Sequence, residues 1–423
     1  MGKAETSEIE TGELSDDGKP SSKRGHFFMV DRRCVEAATK GPGGANAAAA
    51  YLALARYTSS RDHSTTQAGM TAICNHTGLS RGRADLALKQ LENAGLVSPT
   101  TRGTSRKLTP WGSFLANKSG LSPKQYAVID RVKRRDSPIT SGKDQDYQTA
   151  YALSRKGVLK HIEAKPGKAR FRIAEPEYLF LPNTLADGVR EGDLPLSRLR
   201  QIGDARAVAT LMRVYDHSNL PEACGIPPEL IRQEYTKFEA GSWGRYTVLS
   251  FAVASKNASW DPFVRPFVAN VVSDNAEYKA ERERLVQEFW RIWEALEVAR
   301  LIEHTAYVFD GTEPSAQPLF PLPTSWSGTD EERKVSAEAQ DAALRMLSPA
   351  QLDRARTVLN TSQVMVCPVE AHLINARLVG VARPCYRAKT KKTAAWVASY
   401  LQACPDLASV FSKLRQNLAT SIA

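Results

Sequence analysis

The chain has 423 residues and is poor in the side chains that build most chemical sites. Its six cysteines (Cys34, Cys74, Cys224, Cys367, Cys385 and Cys404) are scattered, with no CxxC pair and no zinc-like spacing. The seven histidines form no HxH or HExxH pattern, so no metal is expected. The glycine-rich Lys40-Gly-Pro-Gly-Gly44 lacks the GxxxxGK order of a phosphate-cradling loop, and a breaker before a helix is the simpler reading. There is no GxSxG elbow and no repeated acidic pair. These absences argue against an enzyme and against a cofactor or small-molecule ligand, although residues that converge only in the fold would escape such a search. No apolar run approaches the ~18 residues of a membrane helix and no signal-peptide pattern opens the sequence, so reduced thiols in a cytoplasmic protein are expected.

What is present is positive charge in one place. The net charge is +11. Residues 26–175 hold 25 lysines and arginines against 11 aspartates and glutamates, while the rest of the chain is slightly acidic. A localised basic region suits a polyanion such as nucleic acid better than a uniformly basic surface does. Residues 1–25 contain almost no large apolar side chain and are expected to be a disordered tail. The length calls for two to four domains.

The most informative stretch is Gly78–Val97, GLSRGRADLALKQLENAGLV. It follows two expected helices, Ala45–Tyr57 and Thr65–Thr77. Gly78 supplies freedom for a tight turn and Ser80 is placed to cap the next helix. Over Arg81–Ala94 the apolar residues Ala84, Ala87, Leu88 and Leu91 line one face. The other face carries Lys89 and Asn93, with Arg81 and Arg83 near the start. Gly95 ends the helix, Leu96-Val97 begin a strand, and a polar hairpin tip follows with Arg102, Arg106 and Lys107. Arginines in the first turn of such a helix reach guanine edges, while hairpin cations meet phosphates.

Leu79-Ser80-Arg81-Gly82, Ala87-Leu88, Leu91-Glu92 and Gly95-Leu96-Val97 resemble the reading head of GntR-like winged helix-turn-helix regulators, over about residues 45–108. The resemblance implies DNA contacts through Ser80, Arg81, Arg83 and the hairpin cations. The sequence departs from that pattern at Asp85 and Leu86, where polar or basic residues are usual. Nothing downstream resembles the effector domains of those regulators.

The interval Leu91–Gly95 recurs as Leu153–Gly157, ahead of a basic hairpin with Lys165, Lys168, Arg170 and Arg172, and as Leu296–Arg300. The expected fold is therefore mainly α with small β-hairpin wings: tandem winged helices followed by a helical C-terminal α+β region. The expected divisions are 26–118, 119–175, 176–324 and 325–423. An arrangement of this kind is similar to the tandem winged-helix replication initiators of plasmids and phages. The expected function is sequence-specific binding of double-stranded DNA, as a nucleoid-associated transcriptional regulator or an initiator of a mobile element. The near-neutral residues 176–423 are left for a homodimer contact or for a replication or transcription partner. A protein adaptor with nonspecific nucleic-acid binding, or a nucleic-acid enzyme with a non-local site, are the alternatives.

Overall fold

The computed structural model describes residues 27–387 except 60–62, 101–104, 119–120, 135–138, 140–144, 165–167, 174–175, 219–224, 227–234, 254–262, 265–275, 312–315, 317 and 323–329, together with 408–414 and 416–417. Helices alternate with small antiparallel sheets of two or three strands, a mixed α/β chain. Among the described residues no helix is long and apolar enough to cross a membrane.

The first region is organised around α2 (Gly44–Ala55), whose residues 47–55 are all buried. Its alanines leave room for neighbours on every side, so it is apolar all round rather than on one stripe. Around it lie α1 (Arg32–Lys40), α3 (Met70–Thr77) and α4 (Arg81–Asn93). The helix expected from Thr65 begins only at Met70, because Thr65–Thr66 form strand β2. With β3 (Val97–Pro99) and β4 (Arg106–Leu108) this strand makes a sheet in the order β2-β4-β3, followed by α5 (Trp111–Lys118).

The charge balance changes near residue 176, but the core does not divide there. β1 (Phe27–Asp31) pairs antiparallel with β7 (Tyr178–Pro182), from Phe27↔Pro182 to Asp31↔Tyr178. Next come α8 (Thr184–Asp187), α9 (Pro195–Gln201) and α10 (Ala205–His217). Leu196 and Leu199 of α9 and Val208, Leu211 and Met212 of α10 share one core with α2 and α4. A separate small core, including Val128, Ile129, Leu153, Leu159 and Phe171, joins α6 (Pro123–Arg134) and α7 (Tyr147–Arg155) to the hairpin β5 (Leu159–Ala164) and β6 (Lys168–Ile173).

The remaining strands are shared across the expected division at 324/325. α11 (Ala276–Val298) leads into β10 (Ile302–Phe309), and the recurrence at Leu296–Arg300 would make β10 the first strand of a wing hairpin with a return strand, β11 (Pro318–Pro321). β10 does meet β11, but only over Tyr307–Phe309. Along its whole length it pairs with β13 (Arg377–Pro384), from Ile302↔Pro384 to Phe309↔Arg377. The second sheet has the order β12-β9-β8, with β8 (Tyr235–Trp243), β9 (Tyr246–Val253) and β12 (Met365–Glu370). Local sequence over Pro228–Phe238 suggests a helix, but Tyr235–Phe238 are strand, pairing with Ser250–Val253 across the Gly244 turn. α12 (Asp330–Met346) covers these sheets, and α13 (Pro349–Val358) starts at a Ser348 cap, where Gln351 closes a capping box.

One recurrence in the sequence is a recurrence of backbone. α4, α7 and α11 each end with the same 6→1 hydrogen bond: Leu96 N–H to Leu91 O, Val158 N–H to Leu153 O and Leu301 N–H to Leu296 O, each 3.0 Å. The residue before each donor is left-handed: Gly95 (φ +75), Gly157 (φ +74) and Arg300 (φ +52).

Candidate nucleic-acid interface

α4 presents two unlike faces. Ala84, Ala87, Leu88 and Leu91 are buried against α2 and α3, and the opposite face is open to solvent. On it stand Arg81, Arg83, Leu86, Lys89 and Asn93, all exposed, with Leu86 at 56%. The guanidinia of Arg81 and Arg83 have no ionic or hydrogen-bonding partner among the described residues. Lys89 is tied to Asp85, one turn earlier, at 2.7 Å. The hydrogen bond and charge of Asp85 raise the Lys89 pKa, so this cation is local in its commitments. Asp85 thus neutralises charge on the face where the sequence reading relied on Lys89.

Ser80 occupies the N-cap position with extended backbone (φ −61, ψ 155), but its side chain makes no capping hydrogen bond. The cap expected from sequence is therefore absent, and the exposed hydroxyl faces solvent beside Arg81. The hairpin cations divide. Lys107 is exposed on β4, whereas Arg106 is half-buried and its Nε lies 3.4 Å from Glu92 Oε1. Strand alternation explains the split: adjacent residues face opposite sides, and Arg106 is turned toward α4. Arg102 lies outside the described residues.

The turn between α3 and α4 is held from a distance. Gly78 is left-handed (φ +63), and a Cβ there would come within 2.8 Å of Ser197 Oγ. Arg200 of α9 donates from Nε to Thr77 O at 2.6 Å and from Nη2 to Gly78 O at 3.1 Å. These are carbonyls at the end of α3, which otherwise lack intrahelical partners. Burial first, and then the nearby charge of Arg83, lower the Arg200 pKa from its ordinary value. The repulsion reflects a third cation near Arg83. Sequence reasoning missed Arg200, since nothing in its local pattern distinguishes it from other helix arginines.

In the second region the strand register puts positions 160, 168, 170 and 172 on one face of the β5–β6 hairpin, with Lys160 directly opposite Arg172. Both of these side chains are exposed. The other face carries Leu159, His161 and Phe171 toward α7, where the Phe171 ring lies 5.8 Å from Tyr147 and 5.0 Å from His161. Like charges directly opposite each other cost stability, so packing does not account for the Lys160–Arg172 pair. Lys168 and Arg170 are described in backbone only, and Lys165 lies outside the described residues.

No group of His, Cys, Asp and Glu suited to a metal occurs among the described residues. Comparison with family models, curated proteins and solved structures gives no match.

Proposed function

We propose that residues 44–118 form a winged helix that reads double-stranded DNA with the outer face of α4. The observation that carries the reading is the pair Arg81 and Arg83, two guanidinia without a partner among the described residues, on the first turn of a helix whose opposite face is buried. Arginines in that position suit bidentate contact with guanine O6 and N7 in the major groove. Arg200 adds charge at the turn, and the uncapped Ser80 hydroxyl and Lys107 suit phosphate contacts, which orient without reading sequence. Leu86 suits a thymine methyl. The hairpin face carrying positions 160, 168, 170 and 172 extends the same polyanion surface into a second winged-helix-like unit.

On this reading the protein is a sequence-specific, nucleoid-associated DNA-binding protein, a transcriptional regulator or a replication initiator of a mobile element. Residues 176–423 brace the first region and serve contacts with a second copy or with a replication or transcription protein. The test is a mobility-shift competition with genomic fragments. Arg81→Ala with Arg83→Ala should lower specific affinity by about ten- to a hundredfold, given the cost of losing a bidentate base contact. Unchanged specific binding in that double variant would overturn the assignment of α4.

A further inference from the structure

A second cationic feature lies away from α4. A cleft of about 640 Å³ opens between the start of α9, the end of α11 and the edge where β10 meets β13. That volume is in the range of small-molecule sites. Three carboxylates line it, and each is already engaged. Asp193 accepts from the Val189 backbone N–H (3.1 Å), from Arg198 (2.5 Å) and from the Tyr386 hydroxyl (2.8 Å). Glu297 is held by His304 at 2.5 Å. Glu303 is shared by Arg383 at 2.5 Å and Arg387 at 3.1 Å.

The cations are less committed. Arg190 and Arg300 line the cleft, are exposed, and have guanidinia without a partner among the described residues. Arg198 and Arg333 also line it, paired with Asp193 and Asp330. Arg300 is also one of only three non-glycine residues with positive φ among the described residues. Of the equivalent turns elsewhere, those after α4 and α7 have glycine in this position and the one after α13, where Thr361 N–H meets Arg356 O, has Asn360, a short side chain that tolerates left-handed backbone. Here the chain keeps a side chain where its backbone disfavours one, and that side chain lines a cleft whose carboxylates are all satisfied. Strained residues of this kind gather at binding sites.

We propose that this cleft binds a small phosphorylated ligand, with Arg190 and Arg300 gripping the phosphate groups. Arginine matches phosphate oxygens through paired N–H donors. The exposed side chain of Val189 gives an apolar wall for the remainder of the molecule. The Arg198–Asp193–Tyr386 network is the fixed floor and positions the site without needing to touch ligand. This site is independent of the DNA reading proposed above.

The test is thermal unfolding of the full chain with inorganic pyrophosphate and, separately, ATP, against sodium chloride of matched ionic strength. A ligand bound only by the folded state raises Tm in proportion to its saturation. The wild type should show a saturable rise with at least one of the two. Tighter binding of ATP than of pyrophosphate would assign the apolar wall to a nucleoside, and equal binding would assign recognition to the phosphates alone. Arg190→Ala with Arg300→Gly should abolish the rise while leaving the ligand-free Tm no lower, because glycine suits the backbone at 300. Arg81→Ala with Arg83→Ala should keep the rise, which separates this site from the α4 reading. No rise beyond chloride in the wild type, or the same rise in the Arg190/Arg300 variant, would overturn the proposal. So would weaker DNA binding by that variant in ligand-free buffer, since the cleft would then be a DNA phosphate contact.

Discussion

Arginine is used in opposite ways at the two ends of this protein. On α4, Arg81 and Arg83 stand in solvent with no partner among the described residues, and a third cation, Arg200, lies near Arg83. In the C-terminal sheet Arg383 is completely buried, with Glu303 at 2.5 Å, Glu332 at 2.6 Å and the Tyr307 hydroxyl at 2.9 Å. Burial alone would lower the Arg383 pKa, but Tyr307, Glu303 and Glu332 outweigh it and hold the guanidinium charged. The first arrangement leaves interaction energy available to a ligand. The second uses it inside the fold, tying β13 to β10 and α12. Charge count alone does not distinguish them, because what matters is whether each cation has a carboxylate within reach.

Five variants, the last read by titration, probe that contrast. The largest effect is expected at the buried cluster: Glu332→Gln leaves Arg383 short of a counter-charge and should cost roughly 3–5 kcal/mol in urea unfolding. A loss under 1 kcal/mol would mean water reaches the cluster. By contrast, Arg81→Ala with Arg83→Ala should leave the urea midpoint unchanged while DNA affinity drops, since those guanidinia have no partner among the described residues. Gly78→Ala should destabilise by more than about 1 kcal/mol, through the left-handed backbone and the clash with Ser197. It should also weaken DNA binding if the turn aims α4. Arg300→Gly should stabilise by about 1 kcal/mol, the cost of a non-glycine residue in left-handed backbone; a loss of stability would mean that the side chain holds the fold.

The smallest effect is at His217, half-buried with its ring 5.3 Å from Phe263. Burial lowers its pKa below the usual 6.5, with Arg32 and Arg213 adding to the shift and Asp216 opposing it. Between the folded and unfolded pKa the unfolded chain binds more protons. Stability from His217 is thus full above pH ~6.5 and is lost as pH falls toward the folded pKa. His217→Phe should flatten the stability profile in that acidic window and leave it unaltered above neutrality. An identical slope in both proteins would remove His217 from the account.

Much of the first region was legible in the sequence because its signals are local. Helical spacing placed Ala84, Ala87, Leu88 and Leu91 on the buried face, and all four are buried. The helix-ending interval before Gly95 and Gly157 marks a real turn, and it finds the same turn at Arg300. The inference from that turn to a third wing did not follow, because β10 pairs with β13 some eighty residues downstream. The expected boundary at 175/176 followed charge, whereas the core follows β1–β7 pairing and the packing of α9 and α10. Within the candidate interface, exposure of Arg81 and Arg83 followed from periodicity. The diversion of Arg106 to Glu92 and of Lys89 to Asp85 did not, nor did the arrival of Arg200.

The sequence by itself determined the buried face of α4, the turns that end α4 and α7, and that positive charge concentrates in residues 26–175. Those properties depend on neighbours within a few residues, so they can be read from spacing. Only the tertiary structure decided which cations are unpartnered, which strand closes the β10 sheet, and that Arg200 holds the Gly78 turn. Each of those depends on groups far apart in the chain. Hydrogen bonds and ion pairs act over a few ångströms, and only the fold brings such groups that close.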